Sequence, residues 1–218
     1  MQRIIQLTAD GSPTIAIPDM QVTYHSRHGA VQESRHVFVQ AGLLPLLQQH
    51  EVLRVFEMGF GTGLNALLTL EQAITAQQRI FYYTVEKHPL DEEEIKGLNY
   101  KGILPQPYFT ALHQCAWNEP VNIHPYYTLY KSNASLQQCK VDAPVHLIYY
   151  DAFAPAAQPE LWTLAIFEQL YTMLVNGGVL VTYCSKGDVR RNMLAAGFKV
   201  EKLAGPPGKR EMLRATKH

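Results

Sequence analysis

The feature that most constrains this chain is the segment VLRVFEMGFGTGLN, residues 52–65. A short apolar run closes on Glu57, and three glycines follow at alternate positions, Gly59, Gly61 and Gly63. Glycine allows a tight turn and a close approach of the backbone to a ligand, and the amides that start the next helix form a polar cradle. The segment therefore predicts a strand, a ligand-binding loop and a helix at the edge of an open parallel sheet.

The spacing of the glycines separates two classes of ligand. A dinucleotide fingerprint reads GxGxxG, whereas this loop reads GxGxG and has an acid two residues before its first glycine. S-adenosylmethionine (SAM) carries an α-ammonium and a sulfonium but no phosphate, so Glu57 suits SAM and would be poorly placed against a pyrophosphate. Glu86 ends the next apolar run and can accept both hydroxyls of a ribose. We therefore predict SAM as the cofactor; the alternative is a glycine-rich turn beside a surface glutamate.

The alternation of apolar runs and helical patterns after residue 52 is typical of parallel βαβ units. We predict an α/β protein of the class I SAM-dependent methyltransferase type, Rossmann-like, with a mostly parallel seven-stranded sheet and a C-terminal antiparallel hairpin. Residues 51–218 would form this domain, and residues 1–50 a small N-terminal extension packed on it. The predicted strands are 52–57, 79–86, 127–131, 144–153, 178–184, 198–203 and 210–216, and the predicted helices are 63–78, 90–98, 133–139, 160–175 and 187–196.

Two stretches carry further structural predictions. Asn176, Gly177 and Gly178 read as the C-terminal cap of the helix before them. Residues 100–125 are rich in aromatic residues and proline and interrupt the alternation of strands and helices. We interpret them either as a lid or substrate platform, or as a surface insertion with a small core of its own.

Composition narrows the class of protein. The chain has 218 residues, balanced charge and 47% hydrophobic residues, which suits one globular domain with a small appendage. No apolar stretch approaches the roughly 20 residues of a membrane helix, and the N-terminus lacks the apolar core of a signal peptide. Three dispersed cysteines fit a reduced environment, so we expect a cytoplasmic protein.

The charge distribution and the absence of two motifs limit the reactions that this chain could catalyse. Between Lys186 and Lys217 nine basic residues face three acids, an excess that could meet phosphate or could be an ordinary solvated surface. No HExxH motif or clustered Cys/His set appears, so we expect no metal. No GxSxG elbow appears either, so hydrolase chemistry lacks its nucleophile.

The most informative stretch for chemistry is IYYDAFAPAAQPELW, residues 148–162. Its apolar strand ends in Asp151, at the same sheet edge as the glycine loop. Methyl transfer needs a neutral nucleophile held near the methyl carbon, so Asp151 could orient an acceptor N–H or take up its proton. Phe153 and a neighbouring tyrosine would exclude water. The alternative is a carboxylate that caps the following turn.

The third predicted strand of the sheet ends in YKSNASLQQC. In a SAM-dependent fold the loop after this strand lies beside the adenine, where Asn133 or Ala134 could make edge contacts. Asn133 could equally be a plain helix N-cap, and the two roles are compatible.

These motifs together resemble the methyltransferase domain of the MnmC family, the bifunctional bacterial enzymes that complete the 5-methylaminomethyl group on the wobble uridine of certain tRNAs. The matching stretches are ESRHVFVQAGL, FEMGFGTGLN, VEKHPL, DAFAPAAQPELW and the C-terminal run from NGGVLVTYC to KREML. They span most of residues 30–214. The pairing of GFGTGLN with DAFAP and PELW is far more specific than a general SAM motif.

The resemblance implies a tRNA (5-aminomethyl-uridine) N-methyltransferase that uses SAM. Carried over by position, the cofactor would be held by Glu57, Gly59, Gly61, Gly63, Glu86, Asn133, Ala134 and Asp151, with Glu33 and Ser34 near its methionine end. Asp151 and Phe153 would meet the aminomethyl group as the catalytic residues. Lys209 and Arg210 would contact RNA phosphate, although their loop, AGPPGKR, has two prolines where a looser glycine-rich stretch is expected.

The bifunctional members carry a flavin-dependent oxidase after this domain, and this sequence ends at His218. We therefore expect the stand-alone form, which needs its aminomethyl nucleoside from another enzyme. Two alternatives remain open. The balanced charge and the aromatic insertion would also suit a methyltransferase of a small-molecule amine, and a non-catalytic SAM-binding protein would keep the loop without the reaction.

Overall fold

A computed structural model describes residues 2–218. Near its N-terminus the chain forms a small sheet that is separate from the main sheet. Its three antiparallel strands are β1 (Ile4–Leu7), β2 (Pro13–Ile17) and β3 (Val22–Thr23). Helix α1 (Ala30–Ser34) follows and continues into a π-helical segment, Arg35–Leu43, which buries Val37, Phe38 and Leu43 against the main sheet.

The main sheet has eight strands, numbered onward along the chain: β4 (Val52–Met58), β5 (Arg79–Val85), β6 (Pro120–His124), β7 (Tyr127–Ser132), β8 (Val145–Tyr150), β9 (Leu174–Thr182), β10 (Lys199–Ala204) and β11 (Glu211–Thr216). They lie side by side in the order β10, β11, β9, β8, β4, β5, β7, β6. The five strands from β9 to β7 are parallel, and the outer strands are antiparallel to their neighbours. The predicted α/β class, parallel sheet and terminal hairpin are confirmed.

Helices cover both faces of this sheet: α2 (Leu64–Thr75), α3 (Glu92–Gly97), α4 (Gln106–Gln114), α5 (Leu164–Met173) and α6 (Gly187–Ala195). Alternate residues of β4 point to opposite faces, as in any strand. Leu53 and Val55 pack in the cluster that contains α2, whereas Phe56 packs in the cluster that contains α5 and α6. No helix within residues 2–218 is both long enough and apolar enough to cross a membrane.

The eighth strand, β6, lies in the region interpreted as an insertion. It forms the outer edge of the sheet beside β7, and none of its side chains is fully buried, so its apolar periodicity is weak. Helix α4 packs between β6 and α2. Residues 100–125 therefore contribute a strand and a helix to the main domain, and none of them is among the described residues that line the cavity discussed below.

Two local predictions were wrong. The Asn176–Gly178 triplet does not cap α5, because that helix ends at Met173 and the triplet lies inside β9. Gly177 N–H donates to Lys217 O (2.8 Å) and Lys217 N–H donates to Gly178 O (3.0 Å), so sheet pairing holds the triplet. The helix expected over 133–139 is only a short 3₁₀ turn, residues 136–138, and its N-cap is Ser135, so Asn133 is not a cap.

A buried lysine ties the insertion to the sheet. Lys131, at the end of β7, is fully buried, and its Nζ donates to Leu112 O (2.9 Å) and His113 O (2.7 Å) at the C-terminus of α4. The same Nζ lies 4.6 Å from the ring centroid of Trp117. Burial lowers the pKa of Lys131, and these contacts compensate for its lost hydration.

We expect Lys131→Met to lower the free energy of unfolding by about 2–4 kcal/mol, because two buried carbonyls lose hydrogen bonds from a charged donor. Urea denaturation followed by circular dichroism measures this change. Lys140→Met, at an exposed lysine, is the control and should stay close to the parent chain. Equal stability of the two variants would contradict a structural role for Lys131.

Candidate active site

A cavity of about 320 Å³ opens at the carboxyl ends of the central strands. After β4, strands β5 and β7 are added on one side of β4, and β8 is added on its other side. The order of strands therefore reverses between β4 and β8, which is where ligands bind in open parallel sheets. Met58 of β4, Val85 of β5 and Ala152 after β8 all line this cavity.

The glycine loop forms one wall of the cavity and needs its glycines for backbone conformation. Gly59, Gly61 and Gly63 have φ angles of 87°, 51° and 72°, in the left-handed region that favours glycine. Space is also limited, since a Cβ on Gly63 would lie 2.9 Å from His113 Nε2. Gly59 and Gly61 line the cavity, whereas Gly63 begins α2 behind it.

Glu86 lies at the edge of the cavity, as the sequence predicted for a ribose-binding acid. Its Oε2 accepts a hydrogen bond from Gly61 N–H (3.0 Å) and its Oε1 accepts one from His88 N–H (2.8 Å). A carboxylate has about four acceptor sites, so each oxygen retains capacity for a ligand hydroxyl. Glu86 both fixes the glycine loop and presents acceptors to the cavity.

The loop after β7 supplies the opposite wall. Ala134 lines the cavity together with Ser135, Leu136 and Gln137. Asn133 does not line it: this residue is exposed, and its backbone N–H donates to Asn118 Oδ1 (3.2 Å). The predicted adenine contact therefore suits Ala134 and the three residues after it, and Asn133 lies outside the described wall.

Glu57 lies behind the wall of the cavity rather than on it. It is 1% exposed and points from β4 toward α2, among the side chains of Thr84, Asn65 and Tyr82. Burial, together with the nearby charge of Asp151, raises the pKa of Glu57 well above its usual range. The structure thus separates Glu57 from the open site that its predicted contact with the SAM cations requires.

Asp151 and Phe153 line the cavity where β8 ends. Asn65 Nδ2, from the first turn of α2, donates to Asp151 Oδ2 at 2.9 Å. The ring of Phe153 meets the ring of Tyr24 edge to face, with centroids 5.2 Å apart. Trp162 Nε1 donates to Phe153 O (2.8 Å), which fixes the backbone of the DAFAP loop. A carboxyl group and two aromatic rings therefore converge on one side of the cavity.

The carboxyl of Asp151 is reached from the cavity but closely surrounded by protein. Burial, together with the charge of Glu33, raises its pKa to about 7, although the hydrogen bond from Asn65 and the charge of Lys209 act the other way. Tyr183 is also close enough for Asp151 to raise the pKa of its phenol. A carboxyl with a pKa near neutrality can take up a proton at physiological pH.

Glu33 and Ser34 lie in α1, beyond the residues that line the cavity. Glu33 Oε2 accepts from Ser26 N–H (2.7 Å), and Glu33 Oε1 pairs with Lys209 Nζ (2.6 Å). Ser34 is fully buried, and its Oγ has no hydrogen bond within the described part of the chain. Glu33 therefore acts on the site through its charge near Asp151, and the predicted contact of Ser34 with the methionine end has no support from its position.

Lys209 and Arg210 line a second, open cavity of about 290 Å³ beside the DAFAP loop, together with Lys186. Lys209 is engaged inward, since its Nζ pairs with Glu33 and lies 3.9 Å from the ring centroid of Tyr183. Arg210 is exposed and forms no ion pair within residues 2–218. Of the two predicted phosphate contacts, Arg210 is the one whose charge faces solvent.

Tyr24, His25 and Asn65 are residues of the site to which the sequence assigned no role. Tyr24 and His25, after the last strand of the N-terminal sheet, line the cavity, and Tyr24 packs against Gly61 and Phe153. Burial lowers the pKa of His25 to about 4, so its ring is neutral. Asn65 belongs to the GFGTGLN stretch, and its place two residues after Gly63 was the available signal. Nothing in the sequence around Tyr24 and His25 indicates that they reach this cavity.

The site combines a glycine loop, a ribose-type acid at the next strand and a carboxyl group with aromatic neighbours at the switch point. This combination defines the class I SAM-dependent methyltransferases. A family model described as S-adenosyl-L-methionine-dependent methyltransferase matches residues 107–218. The chain belongs to that family, and the prediction that SAM is its cofactor is confirmed.

Relatives confirm the resemblance to the methyltransferase domain of MnmC. The chain is 32% identical over 224 residues to the "tRNA 5-methylaminomethyl-2-thiouridine biosynthesis bifunctional protein MnmC" of Aromatoleum aromaticum, covering 96% of this chain and 34% of that protein. The protein of that name from Pseudomonas aeruginosa is 32% identical over 212 residues, covering 88% of this chain. The chain spans about a third of the length of these curated relatives.

A solved structure supports the same conclusion at the level of the fold. The crystal structure of MnmC2 from Aquifex aeolicus matches with a TM-score of 0.84 and 26% sequence identity. The match covers 100% of this chain and 70% of that one. The similarity extends over the N-terminal sheet as well as the main domain, since no part of the chain lies outside the match.

The residues of the cavity fit SAM. Gly59 and Gly61 leave the loop without side chains where a ligand approaches, and Glu86 retains acceptor capacity for the ribose hydroxyls. Ala134 and Leu136 give the opposite wall an apolar surface suited to a flat base. When bound, SAM supplies an electrophilic methyl group on a sulfonium.

We expect Glu86→Ala to weaken the binding of S-adenosylhomocysteine, the demethylated cofactor, by about 1.5–3 kcal/mol, the range for hydrogen bonds to a charged group. Isothermal titration calorimetry measures this loss. Glu92→Ala, at an exposed acid of α3, is the matched control.

Because Glu86 also holds Gly61, the titration is repeated with a 2′-deoxy analogue of S-adenosylhomocysteine. A direct contact with the ribose predicts a smaller loss for this analogue, since part of the interaction is already missing. Equal losses for both ligands would assign Glu86 to the loop alone.

Proposed function

We propose that this chain transfers the methyl group of SAM to the primary amine of a 5-aminomethyl-uridine, with or without a 2-thio group, at the wobble position of tRNA. The observation that carries the proposal is the carboxyl of Asp151, which lines the cofactor cavity together with Phe153 and accepts a hydrogen bond from Asn65. The names of the relatives supply the nucleoside, since they concern tRNA 5-methylaminomethyl-2-thiouridine biosynthesis.

The residues around the acceptor have separable roles in this proposal. An amine attacks a methyl carbon through its lone pair, so it must arrive uncharged and lose one proton as the new N–C bond forms. Asp151 accepts a hydrogen bond from the amine, orients it and takes up that proton. Phe153 and Tyr24 cover the reacting side with apolar surface and exclude water.

The ion pair between Glu33 and Lys209 sets the charge near the amine. Glu33 adds a second negative charge beside Asp151, which favours the approach of an aminomethyl group over that of an anion. Lys209 offsets part of that charge and keeps Asp151 able to titrate near neutrality.

The surface for RNA is the second cavity, next to the DAFAP loop. Lys186 and Arg210 are exposed there, within the same open cavity as Pro155. Elsewhere in this basic region Arg191, Lys202 and Arg214 are paired with acids. Phosphate is therefore attracted by the unpaired charges of this cavity and not by the total number of basic residues in the region.

This function also fits two further proposals. Residues 1–50 form an extension that completes the site, through Tyr24 and Glu33, on a methyltransferase domain of residues 51–218. The protein acts in the cytoplasm, where tRNA would be its substrate.

The proposal predicts turnover on tRNA that lacks the terminal methyl. Incubation with SAM and tRNA bearing 5-aminomethyl-2-thiouridine should yield the methylaminomethyl nucleoside, measured by nucleoside mass spectrometry. Asp151→Asn should lower kcat by about 100-fold or more, the range for general acid–base catalysis. Because burial raises the pKa of Asp151 to about 7, the parent rate should rise between about pH 6 and about pH 8, as the carboxyl loses its proton.

Other outcomes identify other functions. Turnover of small primary amines without RNA, with no inhibition by bulk tRNA, would favour a small-molecule methyltransferase. Cofactor binding with no methylated nucleoside, and no effect of Asp151→Asn, would favour a non-catalytic SAM-binding protein. Glu160→Gln, at an exposed acid on the same cavity rim, is the control for Asp151.

We expect Arg210→Glu to weaken tRNA binding by about tenfold at low salt and to reduce the slope of log K against log salt concentration by about 1, the change expected for one lost phosphate contact. Filter binding across a salt series measures both quantities. Lys140→Glu, at an exposed lysine outside this surface, controls for net charge. An unchanged slope in Arg210→Glu would remove Arg210 from the RNA surface.

A further inference from the structure

Side chains anchor two successive carbonyls of the DAFAP loop, whose first four residues have no regular secondary structure. Tyr183 OH donates to Ala152 O at 2.8 Å. Trp162 Nε1 donates to the next carbonyl, Phe153 O, also at 2.8 Å. A loop without sheet or helix pairing needs such partners for its backbone groups. The carboxyl group of Asp151 therefore belongs to the residue just before two anchored ones.

The ring of Tyr183 makes a second contact. Lys209 Nζ lies 3.9 Å from the centroid of this ring, a distance at which an ammonium is attracted to an aromatic face. The same Nζ pairs with Glu33 Oε1 (2.6 Å), and Glu33 Oε2 accepts from Ser26 N–H (2.7 Å). Tyr183 therefore lies where three distant parts of the chain meet: the DAFAP loop, the loop between β10 and β11, and the N-terminal part.

The loop between β10 and β11 is itself packed on the N-terminal part. Gly208 has a φ angle of 83°, and a Cβ there would overlap the ring of His28. His36 Nε2 lies 2.8 Å from Ala204 O, at the end of β10. These contacts keep the loop against the N-terminal part, where the Lys209 side chain points inward.

Tyr183 also lies between the two cavities. It lines the second cavity with Lys186 and Arg210, and its hydrogen-bond partner Ala152 lines the first. Burial, followed by the charge of Asp151, raises the pKa of Tyr183 well above its usual range, so the phenol keeps its proton and acts as a donor. One side chain therefore connects the surface proposed for RNA with the backbone beside Asp151.

We propose that Tyr183 is a positioning residue for Asp151. Its hydroxyl holds the Ala152 carbonyl, and the Lys209 ammonium on its ring connects this contact to the N-terminal part. The alternative is that the Tyr183 ring only fills space against its aromatic neighbours. The use of Asp151 in methyl transfer rests on the proposed function, but the anchoring of its loop does not.

The indole N–H of Trp162 reports on this loop, because it donates to Phe153 O beside the anchored carbonyl. The chain has two tryptophans, so a ¹H–¹⁵N spectrum of the labelled full chain shows two indole signals, and Trp117→Phe identifies them. Tyr183→Phe keeps the ring and removes only the hydroxyl. Hydrogen exchange at the Trp162 indole should then be about fivefold faster or more, the change expected when one hydrogen bond no longer opposes local opening.

Tyr171→Phe is the matched control, since the Tyr171 hydroxyl also donates to a backbone carbonyl, His218 O (3.2 Å), away from this loop. Exchange at Trp162 should match the parent in that variant. Urea denaturation of both variants separates local opening from global unfolding. Exchange at the parent rate in a folded Tyr183→Phe protein, or an increase no larger than its loss of global stability explains, would overturn the proposal.

Lys209→Met and Lys209→Arg test the contact on the ring. Methionine keeps an unbranched chain without the charge, so exchange at Trp162 should be about two to five times faster. Arginine keeps a cation for both the ring and Glu33, so its rate should return toward that of the parent. The parent rate in Lys209→Met would overturn the connection to the N-terminal part, and this variant tests the proposal even where Tyr183→Phe does not fold.

The readout is exchange at an indole and not methyl transfer. Failure of tRNA turnover therefore leaves the test intact, and failure here leaves tRNA turnover to be judged separately.

Discussion

The site depends on the parallel register of β4 with its two neighbours. Met58 is level with Tyr150 of β8 on one side and with Val85 of β5 on the other. The three strands therefore end together, and the residues that follow them, Gly59, Asp151 and Glu86, open onto the same cavity. A shift of one residue would turn each strand's side chains to the opposite face and separate these groups.

Register also explains how a carboxyl group can occupy the center of the fold. Glu57 shares its face of β4 with Leu53 and Val55, which belong to the main hydrophobic cluster. The tyrosines next to it, Tyr82 and Tyr149, bring polar atoms into that cluster on long apolar side chains. Glu57 is tolerated in the interior because neighbouring side chains offer hydrogen bonds to its carboxyl group. Its uncharged form is favoured because these neighbours carry no positive charge.

Much of this arrangement could be predicted from the sequence, because it is local. The strand, glycine loop and helix of residues 52–65 follow from apolar periodicity and glycine spacing, and Glu86 and Asp151 from their positions at strand ends. Strand β6 was missed because an edge strand that buries no side chain fully has little apolar periodicity. The position of Glu57 was not foreseen either, although the alternation of β4 places it on the same face as Leu53 and Val55, which pack in the cluster that contains α2.

The N-terminal part contributes to the site through contacts between segments that are distant in the sequence. Tyr24 packs against Phe153 and Gly61, and Arg3, which precedes β1, contacts His88 O after β5 and Glu94 of α3. Glu33 lies close enough to Asp151 for its charge to act there, and the C-terminal hairpin brings Lys209 to Glu33. The first and last segments of the chain therefore meet beside Asp151, while the glycine loop and Glu86 are built from the central strands. This division lets the glycine loop and Glu86 follow from general rules of the fold, whereas the surroundings of Asp151 depend on contacts between segments that are distant in the sequence.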